Sequence, residues 1–287
     1  MSGSDCAMSR PALTSALCLW LTVSAAVAGA QAPAPRPAQP ATRPAPSAAA
    51  KPAAKAPQER AVPFAVGETL TYDVAWANYM TAGSATLSVR EKKPSHGSVA
   101  YYITAEGQPI SLLQRIYPLY YKADTLLDVY SLLPQRASIY SNENGREKMR
   151  TTVFDRAKRT ASYEVRTATQ TSRSVAVPAR TLDLLSAVYA LRSLPFGAGT
   201  TTIMPVVDAG KVITVKATVG SREPVRTPGG TVTAWRVEPR IVGDDADAAG
   251  AQQIAVWITD DARRVPVKMT AEVPPVGVFT FTLREAR

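Results

Sequence analysis

The amino-acid sequence predicts a mainly β fold, an antiparallel and strongly curved sheet with two short helices. Three observations support this fold class. Apolar and polar residues alternate with period two through most of the chain beyond residue 59, which is typical of half-buried strands. Clusters of Gly, Pro, Asn and Asp separate the alternating stretches, as turns between strands do. Regular alternation of strands with long helices is missing from the pattern, which disfavours a parallel sheet.

The chain begins with a stretch typical of an export signal. Residues 11–30 form a 20-residue run without charge, and Ala28-Gly29-Ala30 at its end fits the A-x-A cleavage pattern. The last third of this run is mainly Ala and Gly, which favours a cleaved signal peptide over a spanning helix. Retention as an anchor stays open. We therefore predict a signal peptide over residues 1–30 and an exported, periplasmic protein, with no transmembrane span after cleavage. Association with the outer membrane also stays open.

Residues 31–58 have the composition of a linker. Eight of these 28 residues are Pro and eleven are Ala, and no apolar periodicity is present. Such a segment cannot bury enough apolar surface to offset the entropy of ordering. The sequence therefore predicts a disordered Ala/Pro-rich linker over 31–58, followed by a single β-rich domain over 59–287.

Alternation of apolar and polar residues marks the strands of this domain. The clearest stretches are 70–76, 85–89, 213–219, 254–258, 265–271 and 279–283. Turn residues fall between the strands at 142–145, 208–210, 228–230 and 260–261. We expect about eleven or twelve strands in an antiparallel sheet.

Two stretches break the period of two and predict helices. Residues 110–117 lie between Pro109 and Pro118 and suit a short helix. Residues 181–194 suit a longer one, with Thr181 as a candidate N-cap and Pro195 forbidding continuation. The longer helix has a broad apolar face on which a curved sheet can pack.

Residue counts exclude several chemistries. The chain has one His, His96, in a polar hairpin tip, and its two Cys, Cys6 and Cys18, both lie in the predicted signal peptide. Multi-histidine metal sites and thiolate catalysis are therefore excluded from the mature chain. The acidic loop at 244–250 lacks the later ligands of an EF-hand. We predict no metal, no cofactor and no enzymatic activity. The net charge of +10 is scattered, and export argues against nucleic acid as a partner.

Five segments together resemble a known bacterial family. They are Gly67–Trp76, Asp183–Pro195, Pro205–Lys211, Val225–Pro239 and Trp257–Val267. In this order they resemble the envelope family known as domain of unknown function 3108, over about residues 64–285. The resemblance implies an exported β-rich domain related to the half-barrel folds of LolA-type lipoprotein carriers. It implies no catalytic residues.

Aromatic and apolar residues of the domain supply candidate ligand contacts. The predicted ligand-binding residues are Leu112, Arg115, Ile116, Tyr117, Tyr120, Trp257, Phe279 and Phe281. Aromatic residues on a curved sheet line clefts, but every β core uses them too. The predicted helix at 110–117 has more apolar residues than one packed face requires. We expect it to act as a lid, with Arg115 at the rim meeting an anionic headgroup.

Two functions from different classes agree with these features. The first is a non-catalytic envelope binding or carrier module for a lipid, an acyl chain or an extended peptide. The second is a structural or adaptor protein that docks a larger envelope complex. A hydrolase that uses carboxylates alone ranks third. An apolar concave lining with few charges favours the first hypothesis, and an exposed apolar patch without concavity favours the second. The oligomeric state is open.

Overall fold

The computed structural model describes residues 57–77, 80–243, 253–273 and 277–287. The predicted signal peptide with both cysteines, nearly all of the predicted linker and the acidic loop at 244–250 lie outside these residues. The described part of the chain is mainly β, with fifteen strands and two helices. None of its helices is both long and apolar enough to cross a membrane.

The first seven strands are β1 Thr69–Trp76, β2 Met80–Ser95, β3 Ser98–Pro109, β4 Leu119–Asp128, β5 Pro134–Glu143, β6 Arg146–Asp155 and β7 Thr160–Arg166. The remaining strands are β8 Gln170–Ala176, β9 Leu182–Asp183, β10 Thr201–Asp208, β11 Lys211–Thr227, β12 Gly230–Val242, β13 Ile254–Thr259, β14 Pro266–Val273 and β15 Gly277–Ala286. The helices are α1 Ser111–Ile116 and α2 Leu184–Arg192.

All strands belong to one sheet made of two consecutive meanders. Strands β1 to β8 lie side by side in chain order, β9 to β15 do the same, and β1 pairs with β15. Within the described residues every pairing is antiparallel except that of β9 with β10, where Leu182 and Asp183 lie opposite Val206 and Val207. The predicted antiparallel sheet with two helices is therefore confirmed. The strand count was too low because strands such as β8 are almost entirely exposed and show little apolar alternation.

The predicted strong, half-barrel-like curvature is not found. The sheet is neither closed nor strongly curled, and β8 and β9 form its two edges. Helix α2 supplies the physical reason, because Leu185 and Tyr189 pack on residues of β2 to β4 while Leu191 packs on residues of β10 to β13. Where it packs, the helix occupies the space between the two halves and holds them apart.

Three hairpins turn through two residues with positive φ. They contain His96-Gly97, Asn144-Gly145 and Ala209-Gly210, with φ between 44° and 80°. Type I′ turns of this kind match the twist of the flanking strands, and they favour Gly or Asn at these positions. The turn predictions at 142–145 and 208–210 and the hairpin-tip position of His96 are confirmed.

Helix α2 starts two residues later than it would with Thr181 as its N-cap. Its N-cap is Asp183, whose carboxylate accepts hydrogen bonds from the backbone N–H groups of Leu185 and Ser186. The backbone N–H of Asp183 donates to Ser186 Oγ, which completes a capping box. The side chain of Thr181 instead donates to the carbonyl of Pro178. The helix ends at Arg192, before Pro195 as expected.

The carboxylate of Asp128 organises the connection between β4 and β5. Asp128 accepts hydrogen bonds from Ser98 Oγ, Ser131 Oγ, Gln135 Nε2 and the backbone N–H groups of Tyr130 and Ser131. Burial raises the pKa of Asp128, but the hydrogen bonds from Ser98, Ser131 and Tyr130 outweigh it, so the pKa lies below its usual value.

Replacing Asp128 by Asn is therefore expected to destabilise the protein by about 1–3 kcal/mol at pH 7, since an amide leaves donors unsatisfied. A folded-state pKa below the unfolded value contributes stability above the unfolded pKa, near 3.9 for Asp. That stability is lost as the pH falls through the folded-state pKa. Urea unfolding should show a smaller difference in the free energy of unfolding between wild type and Asp128→Asn at pH 3 than at pH 7. A difference that widens on acidification contradicts this account.

Candidate ligand-binding cavity

A cavity of about 710 Å³ lies on the face of the sheet that packs on α2. Both helices and strands from both meanders contribute to its wall. Its lining is mainly apolar, and six representative side chains are Val74, Leu87, Ile116, Val188, Met269 and Phe281. The volume falls within the range of about 300–1,000 Å³ that is usual for ligand pockets.

Strand register places the large apolar side chains of one wall in a row. Val74 of β1 lies opposite Phe281 of β15, and Phe281 lies opposite Met269 of β14. Side chains at paired positions share a face of the sheet, so these three side chains form one row along the cavity. Phe279, two residues before Phe281, joins the same face. All four side chains are only half-buried, so this wall is incompletely covered by the protein itself.

Small residues form the floor of the cavity and explain why it is empty of protein side chains. On β2 and β3, Ala85 lies opposite Gly107, and Leu87 lies opposite Ala105. Ala105 in turn lies opposite Ala123 of β4. All five residues line the cavity. Because Gly and Ala project little or nothing above the sheet, a space remains where larger residues would make a packed core.

Helix α1 lies at the mouth of the cavity. It has no buried residue, and the side chains of Ile116 and Tyr117 are 74% and 50% exposed. Leu113, Ile116 and Tyr117 nevertheless line the cavity. Few apolar contacts hold such a segment, so it is free to open locally at low cost.

The structure brings together four of the eight predicted site residues. Ile116, Tyr117, Phe279 and Phe281 all line the cavity. Two of the others, Leu112 and Arg115, lie on α1 but do not line the cavity, and both are exposed.

The last two predicted site residues lie on the opposite face of the sheet. Tyr120 donates a long hydrogen bond of 3.4 Å to Glu106 Oε2, while its chain neighbours Leu119 and Tyr121 line the cavity. Trp257 donates from Nε1 to Glu223 Oε1 at 2.5 Å, while its neighbour Val256 lines the cavity. Consecutive residues of a strand point to opposite faces, which explains both positions.

One end of the cavity is polar. Arg150, Tyr121, Thr152, Tyr163 and Asp208 contribute to this part of the lining. Burial raises the pKa of the Tyr121 phenol, the charge of Arg150 opposes this shift, and the charge of Asp208 adds to it. Tyr121 therefore lies within the electrostatic reach of both charged groups, and it stays protonated as a hydrogen-bond donor at neutral pH.

Three further carboxylates near the cavity are already bound by the protein. Asp183 caps α2 and accepts a hydrogen bond of 2.8 Å from Thr125 Oγ1; burial raises its pKa, and these hydrogen bonds only partly oppose that rise. Glu106 pairs with Arg90 and Lys122. The carboxylate of Asp124 pairs with Arg136. Among the described residues, no group of three or more His, Cys, Asp or Glu side chains has metal-binding geometry.

Comparison with known families agrees with the resemblance seen in the sequence. The profile of the family described as "Protein of unknown function (DUF3108)" matches residues 71–284. The chain belongs to the DUF3108 family. No curated protein sequence matches it.

Solved structures similar to this DUF3108 chain are remote in sequence. One is a β-barrel-like protein of the unknown-function domain DUF1849 from Brucella abortus, with a TM-score of 0.51 and 11% identity over 80% of this chain and 99% of that one. This similarity supports the fold alone. A candidate exported protein with a YmcC-like fold from Bacteroides fragilis matches with a TM-score of 0.32 and 10% identity, over 79% of this chain and 98% of that one. A candidate lipoprotein from Parabacteroides distasonis matches with a TM-score of 0.30 and 10% identity, over 80% of this chain and all of that one.

Sequence reasoning did not single out Arg150, the most distinctive polar residue of the cavity. One signal was present, because Thr152 and Phe154 share its face of β6 and both are buried. An arginine that continues the buried face of a strand is unusual. The small residues of the floor were not predicted either, because Ala and Gly have no functional group in their side chains.

Proposed function

We propose that this DUF3108 domain is a non-catalytic binding or carrier module of the cell envelope, which takes up a lipid or acyl chain in the cavity between α1 and α2. The observation that carries the proposal is a 710 Å³ cavity with half-buried aromatic and aliphatic walls over a floor of Ala and Gly. Apolar walls of this kind gain free energy when a ligand removes them from water.

The strand pairing favours an acyl chain over an extended peptide as the ligand. A peptide that binds as an added strand needs an unpaired sheet edge. The strands around the cavity, including β1 to β4 and β13 to β15, are paired on both sides. Their backbone groups are therefore occupied, and the cavity offers side-chain surface instead.

The state of three of the four carboxylates in the lining supports binding over hydrolysis, and the fourth, Asp208, is exposed to solvent. Asp183, Glu106 and Asp124 each hold protein partners. A general acid or base must be within reach of the substrate's proton, and these groups are engaged elsewhere. The predicted signal peptide supports a role in the envelope, where acyl chains are abundant.

The exposed residue at the cavity mouth provides the test of this proposal. Replacing Ile116 by Asp is expected to weaken uptake of the uncharged apolar probe N-phenyl-1-naphthylamine by at least about tenfold, because a bound probe would desolvate the new carboxylate. Stability should change by less than about 0.5 kcal/mol, since the side chain is exposed. Probe fluorescence titration and urea unfolding measure the two quantities.

Leu112→Asp is the matched control, because Leu112 lies on the same helix and is similarly exposed but does not line the cavity. It should leave probe uptake within about twofold of wild type. Failure of the wild-type protein to bind the probe contradicts the carrier proposal and makes the adaptor hypothesis the better one. Equal loss of uptake in both variants also contradicts it, because the effect would then not depend on the cavity.

A further inference from the structure

We infer that the ligand of this cavity is an anionic amphiphile, whose acid group binds Arg150 while its chain lies against the apolar wall. The inference rests on the proposed carrier function and adds the chemical class of the ligand and its orientation.

Arg150 carries a positive charge that the described protein does not neutralise. Its Nε atom is buried without a hydrogen-bond partner, and no ion pair to its guanidinium is present among the described residues. The side chain as a whole is half-buried. A partly buried cation without a counterion is unfavourable unless a bound group supplies the opposite charge. A ligand with an acid group would supply that charge.

The position of Arg150 links the apolar and polar parts of the cavity. Arg150 lies opposite Ile139 of β5, and Ile139 lies opposite Ala123 of β4. All three residues line the cavity and share a face. The guanidinium therefore lies at the end of a row that leads to the small-residue floor. An amphiphile with its acid group at Arg150 can extend its chain along this row.

Neighbouring hydroxyl groups can complete an anion site. Thr152 lies opposite Tyr163 of β7, and both line the cavity together with Tyr121. Hydroxyl groups and an arginine fork are suitable donors to carboxylate or phosphate oxygens. Several oxygens of one headgroup could thus be bound at the same end of the cavity.

The remaining charges at this end do not cancel that of Arg150. Asp208 has no ion pair among the described residues, but it is exposed, so water solvates its charge. The carboxylates of Asp183, Glu106 and Asp124 each have a protein donor as a partner, although Oδ2 of Asp124 is itself buried without a hydrogen bond. The uncompensated charge next to the apolar wall is therefore positive, which favours an acidic ligand over a cationic one.

Competition experiments on the exported chain test the inference. The bound N-phenyl-1-naphthylamine probe is displaced with dodecanoate, dodecyl phosphate, dodecanol or inorganic phosphate. In wild type, the two acidic amphiphiles should compete at least about tenfold more strongly than dodecanol, and inorganic phosphate should not compete. Dodecanoate and dodecyl phosphate represent the two sources of the acid group, and the stronger competitor identifies the preferred one.

Arg150→Met should remove the preference for acids while uptake of the uncharged probe stays within about threefold of wild type. Arg146→Met is the matched control, because Arg146 lies on the same strand but is exposed and does not line the cavity. Arg146→Met should retain the full preference for the acidic amphiphiles over dodecanol. Arg150→Lys keeps the charge and should retain part of the preference.

Four outcomes overturn the inference. Equal competition by dodecanol and dodecanoate in wild type overturns it without any variant, even if Arg150→Met fails to fold, and leaves the carrier function standing. An unchanged preference in Arg150→Met overturns the role of this residue. Competition by inorganic phosphate shows a site for free anions instead of an amphiphile. Failure of wild type to bind the uncharged probe removes the carrier function and the inference together.

Discussion

Replacing Glu68 by Gln is expected to lower the free energy of unfolding by about 3–5 kcal/mol at neutral pH. The two carboxylate oxygens of Glu68 accept hydrogen bonds from Nη1 and Nη2 of Arg192, at 2.6 and 2.8 Å. Both side chains are almost fully buried. A glutamine offers one acceptor oxygen and no charge, so the variant leaves a buried guanidinium without its counterion.

The position of this ion pair makes the loss global. Glu68 lies directly before β1, and Arg192 is the last residue of α2. Arg192 also donates to the backbone carbonyls of Arg263 and Arg264, in the turn between β13 and β14. One guanidinium therefore joins the first meander, the helix and the second meander, and weakening it affects contacts in all three.

Urea unfolding measures this effect, and Asp73→Asn is its control. Asp73 pairs with Arg284 on the surface at 3.0 Å, with both side chains about half exposed. Loss of this ion pair should lower the free energy of unfolding by less than about 1 kcal/mol, as is usual for exposed pairs. The double variant Glu68→Leu with Arg192→Met should recover part of the stability, because it leaves no unpaired buried charge. A Glu68→Gln protein within about 1 kcal/mol of wild type contradicts this account.

Much of the secondary structure followed from periodicity and turn chemistry. The strand that contains Leu70 and Trp76 was predictable because its alternation is regular, and α1 because prolines bound it. The start of α2 was not, since Thr181 and Asp183 are both good N-cap residues and only the pairing of β9 with β10 decides between them. The openness of the sheet depends on how α2 packs on two distant meanders, which local patterns do not encode.

The candidate site was only half predictable, for a reason that alternation makes clear. The sequence indicated aromatic residues but not which face of the sheet each one occupies. Phe281 faces the cavity and Trp257 faces away, although both lie on late strands with similar neighbours. Arg150 acquires its significance from Ile139, which lies opposite it, and from Tyr163, which lies opposite Thr152 on the neighbouring strand. No local motif carries that information.

A large side chain placed on the floor of Ala and Gly should fill the cavity and abolish ligand binding. Ala85 lines the cavity and lies opposite Gly107. A side-chain carbon placed on Gly107 would meet nothing closer than the Ser84 carbonyl oxygen at 4.0 Å, so the space above this pair is open. In Ala85→Trp the indole can therefore extend over Gly107 into the cavity without displacing backbone.

We expect Ala85→Trp to weaken probe uptake by at least about tenfold. Stability should be unchanged or higher by up to about 2 kcal/mol, because the indole buries apolar area in existing space. Probe titration together with thermal unfolding separates these two effects. Loss of uptake accompanied by unfolding would instead mean that the cavity is too tight for an indole.

Thr86→Trp is the matched control for this substitution, because consecutive strand residues point to opposite faces and Thr86 does not line the cavity. It places the same indole on the same strand but outside the binding space, so it should leave uptake within about twofold of wild type. Normal uptake by a stable Ala85→Trp protein would show that the ligand binds elsewhere. A selective loss in Ala85→Trp alone would locate the ligand above the floor of Ala and Gly, where an acyl chain anchored at Arg150 is expected to lie.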